Sequence, residues 1–441
     1  MDDEHFGRRA LVETILKGGG LAGLLMLTAC GPETSATGSG GATIRAKLKT
    51  GGVTGTTPIP IINALDYGAV SGLSSSDSAG IAANTTSLQA FLDACKGNIG
   101  FLPAGIYRHN GLSFDPTANY IIFGAGVSPS ATTGSVLWNM STNPNLVCYS
   151  STDIGDNEIT LADVYLEGSE TSGDGIYFTN VNRVRLYRLW ISTNGGNGVR
   201  LHSCLAGVVD SCTITQNGQY GLWLDTTCNQ FNILNCIVNT NSRKDGYANI
   251  ACIGSSGGEN LGVNISGCDW SYAGQNTDWA TTSGNSIGLV VQNTYSANII
   301  GNYAEQGTQY NSYIGGNTKG IRFNGNYLQD GAVLIQTAQG SEVCFNVVRN
   351  VSLTTSLTVD TVAPSVVKVD GNIPIGSVTF SFPGSSKQVQ EYYDSAPPTS
   401  GTFNVGDRVL NNAPAAGGYM GWVCVASGSP AVWKAFSPIS T

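Results

Sequence analysis

From about residue 157 onward, short stretches alternate apolar and polar residues and give way to polar loops containing Gly. The alternation has a period of two, the signature of strands with one face buried, and no helix-length window there shows a 3.6-residue period. The stretches fall in step. "GDGIYFTN", "GNGVRLHS" and "GQYGLWLDTT" occupy the same phase in windows of 24 residues cut at 157, 181 and 205, and further windows start at 229 and 293. "GNY" at 301–303 returns at 325–327. A fixed repeat of this length predicts a solenoid. The L-x-x-L-x-L signature of leucine-rich repeats is absent, so the pattern predicts a parallel β-helix, single-stranded and built of 24-residue turns, with each coil stacked ~4.8 Å above the last.

Cysteine follows the same schedule. Cys204, Cys228 and Cys252 are evenly spaced, as are Cys212 and Cys236, and the second series continues as Asn302 and Asn326. A residue recurring at the coil period sits above its counterpart, so inward-facing thiols and amides would form ladders; disulfides and metal ligands fit this spacing less well. In window 181–204 the column position is Arg188, and apolar parity switches between Leu186 and Leu189, which predicts a one-residue bulge. The window at 253–292 is too long and carries an insertion around "CDWSYAGQNTDWATTSGN". Ahead of the repeat, "NTTSLQAFLDAC" (84–95) predicts a helix capped by Asn84, with an apolar stripe at Leu88, Phe91, Leu92 and Cys95 suited to plugging the first coil.

Only 12% of residues are charged, against roughly 25% in an average soluble protein. The net charge of −9 argues against binding a nucleic acid through its phosphates. The start of the chain is targeting sequence. Arg8-Arg9, an apolar run from Gly18 to Ala29 and Leu27-Thr28-Ala29-Cys30 predict a twin-arginine export signal with a lipobox over residues 1–30, lipid attached at Cys30. A linker over 31–58 would tether the body, making the protein an exported, membrane-anchored lipoprotein facing the periplasm or cell surface. The β-helix is assigned to 59–385. The strands, turns and tryptophans of 386–441 suggest a small C-terminal β module, either an end cap or a glycan-binding unit.

"NALDYGAV" (63–70), the helix at 84–95 and "GFLPAGIYR" (100–108), followed by Gly-punctuated turns, resemble the N-terminal block of the pectate-lyase-like superfamily. The resemblance implies an all-β fold, a right-handed parallel β-helix with an N-terminal capping helix, and activity on polysaccharides. Its members often carry an acidic stretch before the helix; here "GLSSSDSAGIAANTT" retains only Asp77. The polygalacturonase-type members place acids before the inner strand on adjacent coils. The matching positions here read Asp174, Asn197, Tyr220 and Asp245, and two acids three coils apart, about 14 Å at 4.8 Å per coil, are too distant for a hydrolytic pair. His202 lies outside a Gly-His-Gly and no Arg-x-Lys follows.

Candidate chemistry concentrates in "NSRKDGY": Arg243, Lys244, Asp245 and Tyr247. The insertion one coil on offers Trp270, Tyr272 and Trp279, and Glu305 follows in "YAEQG". With Tyr220 and Asp174, the aromatic groups are expected to bind sugar rings, while Arg243, Lys244, Asp245, Tyr247 and Glu305 supply charge neutralisation, base and acid for a β-elimination on a uronic-acid polymer. The alternatives are a glycan-binding or adhesive protein without catalysis, and a hydrolase or tailspike-like depolymerase. Ca²⁺ is the cofactor left open.

Overall fold

The computed structural model describes residues 60–440 except 151–156, 245, 275–284, 308, 337–339, 353, 361–366, 382–390, 400–402, 404 and 429–430. The export signal with Cys30 and the linker lie outside the described residues, as do Asp245 and Trp279. Two units divide the chain, Met1–Ile61 and Ile62–Thr441, and the architecture that follows is that of the second.

Three parallel sheets run the length of a coil. Sheet 1 has 12 strands and sheet 3 has 11, while sheet 2 is split into runs of 6 and 4. The chain visits sheets 1, 2 and 3 in turn, and coils are numbered here by their strand in sheet 3, from Leu112–Phe114 in coil 1 to Val378–Ser381 in coil 11. The two runs of sheet 2 meet at coil 7, where the bridges Ile237↔Asp269 and Asp269↔Tyr303, with bonds from Thr240 N–H to Ser271 O and from Tyr272 N–H to Glu305 O, carry the sheet across. Inside, like stacks on like. Ile176, Val199, Leu222, Ile250 and Leu289 follow each other in register, each 0% exposed; burying each contributes about 1.5–3 kcal/mol.

The coil period is variable, not fixed. In sheet 3 Val199 follows Ile176 by 23 residues, whereas Leu289 follows Ile250 by 39. The loops between sheets take up the difference and leave the registers intact. This corrects two expectations. Arg188 is no bulge: it is the corner between sheets 1 and 2, with φ 47°, in a column with Asp163 (59°), Ser211 (55°), Asn235 (52°), Gly267 (65°), Gly301 (67°) and Gly325 (65°). Left-handed backbone suits Gly, Asn and Asp and costs other residues about 1–2 kcal/mol. Arg188 offsets that cost by gripping the corner below through Nε and Nη2, 2.8 and 2.6 Å from the Asp163 carboxylate oxygens. Leu189, one residue on, is the true column-mate of Cys212, to whose Sγ its N–H points at 3.5 Å.

The second correction concerns the thiols. Cys212, Cys236 and Cys268 do stack, and the Cys268 N–H donates to Asn302 Oδ1 at 2.9 Å. From there Asn302, Asn326, Asn346 and Asn372 pass Nδ2–H to Oδ1 at 3.0, 2.9 and 2.9 Å. Cys204 and Cys228 also stack, but the next member of that column is Asn260; Cys252 lies instead between Leu224 and Val291 in sheet 3. A second amide ladder, Asn194–Asn217–Asn241–Asn249, lines the corner before sheet 3. All ten described cysteines are buried thiols, none of them in a disulfide. Alkylating the unfolded, unreduced protein should therefore label each of them, and a mass spectrum showing any pair joined would contradict the stacking.

The helix α1 spans Ser78–Ala94, with Asp77 rather than Asn84 as its N-cap, accepting from the Gly80 N–H. The Gly, Ala and Thr content of 78–86 has no apolar stripe, which hid the first turns. Asn84 is buried, accepts from Val70 N–H at 2.7 Å and donates to Arg108 O at 2.9 Å, tying helix to coil. Leu88, Phe91 and Leu92 plug the first coil against Leu102, Leu112 and Phe114.

Beside it, His109 is 0% exposed, its Nδ1 accepts from the Gly111 N–H at 3.0 Å, and burial pushes its pKa down to about 3. The unfolded chain takes up this proton near pH ~6.5, so between there and about 3 the unfolded state binds more protons and stability is lost as the pH is lowered. Urea unfolding at stepped pH should show His109 contributing a slope of about 1.4 kcal/mol per pH unit in that window. His109→Asn, which keeps an acceptor without titrating, should flatten the slope.

The C-terminal strands Glu391–Asp394, Arg408–Asn411, Tyr419–Ala426 and Val432–Pro438 form their own sheet, the first pair parallel and the rest antiparallel. Trp433 packs edge-on against Phe403 at 5.2 Å.

Candidate functional site

Strict alternation in sheet 3 decides which side chains leave the coil. With Ile176, Phe178, Val199, Leu201, Leu222 and Leu224 all turned inward at 0% exposure, their neighbours must face out. Two outward columns result: Tyr177, Arg200 and Trp223 in register, and beside them Thr179, His202 and Asp225. The Arg200 guanidinium lies between two rings, 4.9 Å from the Tyr177 centroid and 4.4 Å from that of Trp223. Its Nε and Nη2 donate to Asp225 Oδ2 at 3.1 and 2.7 Å. His202 Nδ1 stands 3.1 Å from the same oxygen.

That geometry assigns the tautomer. An ionised carboxylate only accepts, so Nδ1 carries the proton and Nε2 is left as a base. Asp225 is 8% exposed and accepts from Arg200, His202 and Thr226, while the His202 side chain is 38% exposed. Among the described residues the other histidine is the buried His109, so His202 is the imidazole that a ligand can reach.

The loops entering sheet 3 complete the face. Asp174 Oδ1 accepts from Asn197 N and Nδ2 at 2.7 and 2.9 Å. Burial raises its pKa, and the Asn197 bonds and the charges of Arg200 and Lys244 work against that rise. Lys244 reaches back from coil 6 to donate to Gly195 O, in the loop of coil 4. Tyr220 packs on Trp223 at 4.8 Å and meets Tyr247 edge-on at 5.1 Å, and burial raises its hydroxyl pKa.

Thus Lys244, Tyr247, Tyr220 and Asp174 come together, and other expected residues do not join them. Arg243 is 6% exposed, buried beneath the turn. Trp270, expected on an overhanging loop, is a core residue at 1% exposure. Alternation explains it: Trp270 follows Asp269, the bridging residue of sheet 2, and takes the inward position. Ala248 stands opposite Tyr220, the place expected for Asp245, because coil 6 is longer than the coil before it. Glu305 and Tyr272 belong to sheet 2: the Tyr272 and Tyr303 hydroxyls both donate to the Glu305 carboxylate, and that bond pushes the Tyr272 pKa up to about 12. They fasten the root of the insertion rather than face the cleft. The root does adjoin the "NSRKDGY" turn, for Ser242 and Ser286 hydroxyls pair at 2.7 Å and Gly274 N–H donates to Asn241 O at 2.9 Å.

Tyr177, Arg200, His202, Trp223 and Asp225 were missed. Their signal lay in "GVRLHS" and "GLWLDTT", where alternation turns R, H, W and D outward, but a period of 24 misaligns coils that are 23 residues apart. The two acids of the face make no hydrolytic pair. Asp174 and Asp225 lie two coils apart and five residues apart along the strand direction, roughly 19 Å at 4.8 Å per coil and 3.3 Å per residue, well beyond the span of either glycosidase geometry. Among the described residues no group of three or more His, Cys, Asp or Glu is set to hold a metal ion.

Comparison with known proteins agrees on architecture. The family described as the right handed beta helix region matches residues 135–287. No curated protein matches the sequence. Among solved structures, a Geobacillus virus E2 protein, ORF18, is similar with a TM-score of 0.51 and 12% identity, covering 86% of this chain and 77% of that one. Tailspike protein 2 of the Escherichia coli O157:H7 bacteriophage CAB120 is similar at 0.50 and 14%, over 84% of this chain and 52% of that one. The A-module of a mannuronan C-5 epimerase from Azotobacter vinelandii gives 0.49 and 14%, over 76% and 99%. At such identities the likeness is one of fold. The stacked sheets, the ladders at their corners and the family match together show a right-handed parallel β-helix fold.

Proposed function

We propose that the protein is a polysaccharide lyase working on the outer face of sheet 3, where His202 takes the proton α to the carboxylate of a uronic-acid residue. The observation that carries this reading is the shared Asp225 oxygen, which fixes His202 with Nε2 outward beside a cation held between two rings. Arg200 uses two of its N–H groups on Asp225 and has others left for a substrate carboxylate, with Lys244 as the second cation. Neutralising that carboxylate makes the adjacent C–H acidic enough for a neighbouring base. The C5–H bond breaks to His202, the C4–C5 double bond forms, and the C4–O bond breaks, the leaving oxygen taking its proton from water.

Each cleavage creates an unsaturated uronate that absorbs in the ultraviolet. Incubation with a panel of uronic-acid polysaccharides should produce that chromophore together with new chain ends. Chain ends without a chromophore would instead mean hydrolysis, and binding without either would mean an adhesive protein. The sequence "LTAC" closing at Cys30 supports export as a lipoprotein, and a Cys30→Ala variant should lose its membrane association.

A further inference from the structure

We propose that Tyr149 is a stacking platform for the sugar two places along the chain from the uronate that loses its proton, so that the site holds a run of three sugars. This rests on the lyase reading and says how much of the polymer that site grips. From His202 the outward column of sheet 3 runs both ways along the coil. Toward the C-terminus it passes Asp225 and reaches Ile253 and Gln292. There the face is filled by the chain itself, for Tyr220, Trp223 and Tyr313 pack over Ala251 and Val290, which are 0% and 5% exposed. Toward the N-terminus the column passes Thr179 in coil 3 and reaches Tyr149 in coil 2, both in register with His202.

These last two residues differ in what they offer. Thr179 is 3% exposed, and its hydroxyl already accepts from the Ser150 N–H at 3.1 Å. Tyr149 is 62% exposed, and among the described strands of sheet 3 no other large hydrophobic side chain is exposed. A ring in that position gains by being covered, and the C–H face of a pyranose is a flat apolar surface that suits it.

Spacing names the sugar that covers it. Two coil rises separate Tyr149 from His202 along the axis, about 9.6 Å at 4.8 Å per coil. One rise is comparable to the length of one sugar residue. A chain extended along the axis with its reacting uronate at His202 therefore spans Thr179 with its next residue and lays the one after on Tyr149. A phenol ring is neutral near pH 7, so this position selects a pyranose ring whether or not it carries a carboxylate.

The test is titration calorimetry on the His202→Gln protein, which prevents turnover, with oligogalacturonates and oligomannuronates from the disaccharide to the hexasaccharide. In the series that binds, affinity should rise at least about tenfold between disaccharide and tetrasaccharide. Adding Tyr149→Ala should abolish that rise and leave the disaccharide unaffected, whereas Tyr149→Phe, which keeps the ring, should preserve it. Because Tyr149 lies outside the core, both variants should unfold at the parent's temperature. A rise that survives Tyr149→Ala, a loss shared equally by the disaccharide, or a rise abolished by Tyr149→Phe overturns the platform and leaves the lyase reading standing. Absence of binding by every oligomer overturns both.

Discussion

His202→Gln is expected to reduce turnover on the acidic polymer by at least about 10²-fold, the scale of a lost general base, with KM little changed. The amide keeps a donor toward Asp225 Oδ2, now 3.1 Å from Nδ1, but offers no nitrogen that can accept a proton at Nε2. Substrate contacts through Arg200, Lys244 and the aromatic residues survive, so binding should persist while the chemical step fails. Asp225→Asn tests the same assembly from below. It removes the anion that pairs with Arg200 and fixes the imidazole, so kcat should fall while Asp225→Glu recovers part of it. Initial rates of chromophore formation measure both. If His202→Gln turns over as the parent does, the base lies elsewhere on the face, and Tyr220 and Tyr247 are the next to replace.

The largest expected stability effect lies in the amide ladder. Asn326 Oδ1 accepts from Asn302 N and Nδ2 at 3.1 and 3.0 Å, and its Nδ2 donates to Ile299 O and Asn346 Oδ1 at 3.0 and 2.9 Å. Asn326→Ala leaves the Asn302 N–H without this acceptor and three further groups one partner short, in a site 1% exposed. At about 1–3 kcal/mol for each fully orphaned group, the loss should be on the order of 4 kcal/mol by chemical unfolding. Asn326→Cys should cost less, because Cys268 occupies the equivalent place in coil 7 and its sulfur takes the Cys236 N–H at 3.5 Å. Equal losses for Ala and Cys would show that volume, not the hydrogen bond, governs the column.

How much of this was legible follows from what repeats. The β-helix and the thiol and amide columns announce themselves because stacking forces similar residues to recur, and Cys212, Cys236, Asn302 and Asn326 do so visibly. Cys268, 32 residues beyond Cys236, is off the period. The site is written in differences between coils, and those have no period. Arg200 and Asp225 sit 25 residues apart, His202 and Asp225 23 apart, and only the register of sheet 3 makes them neighbours. Charge is dense in "NSRKDGY", yet Arg243 is buried and Lys244 acts through a reach of two coils that sequence spacing does not encode. Trp270 misled for a related reason. An insertion was visible, but whether its first aromatic points in or out depends on a single-residue bridge at Asp269.

That bridge has a mechanical consequence. Elsewhere each coil is joined to the next by three ladders, whereas above and below coil 7 the second ladder narrows to one residue. Cohesion in such a stack is a sum over neighbouring coils, and the other walls make up the difference. Sheet 3 is wide at this level, with the six-residue strands Ala248–Ile253, Ile287–Gln292 and Tyr310–Gly315, and Asn260–Leu261 adds a short ladder to Thr294–Tyr295, so the insertion loosens one wall of the coil while the other two carry the load across it.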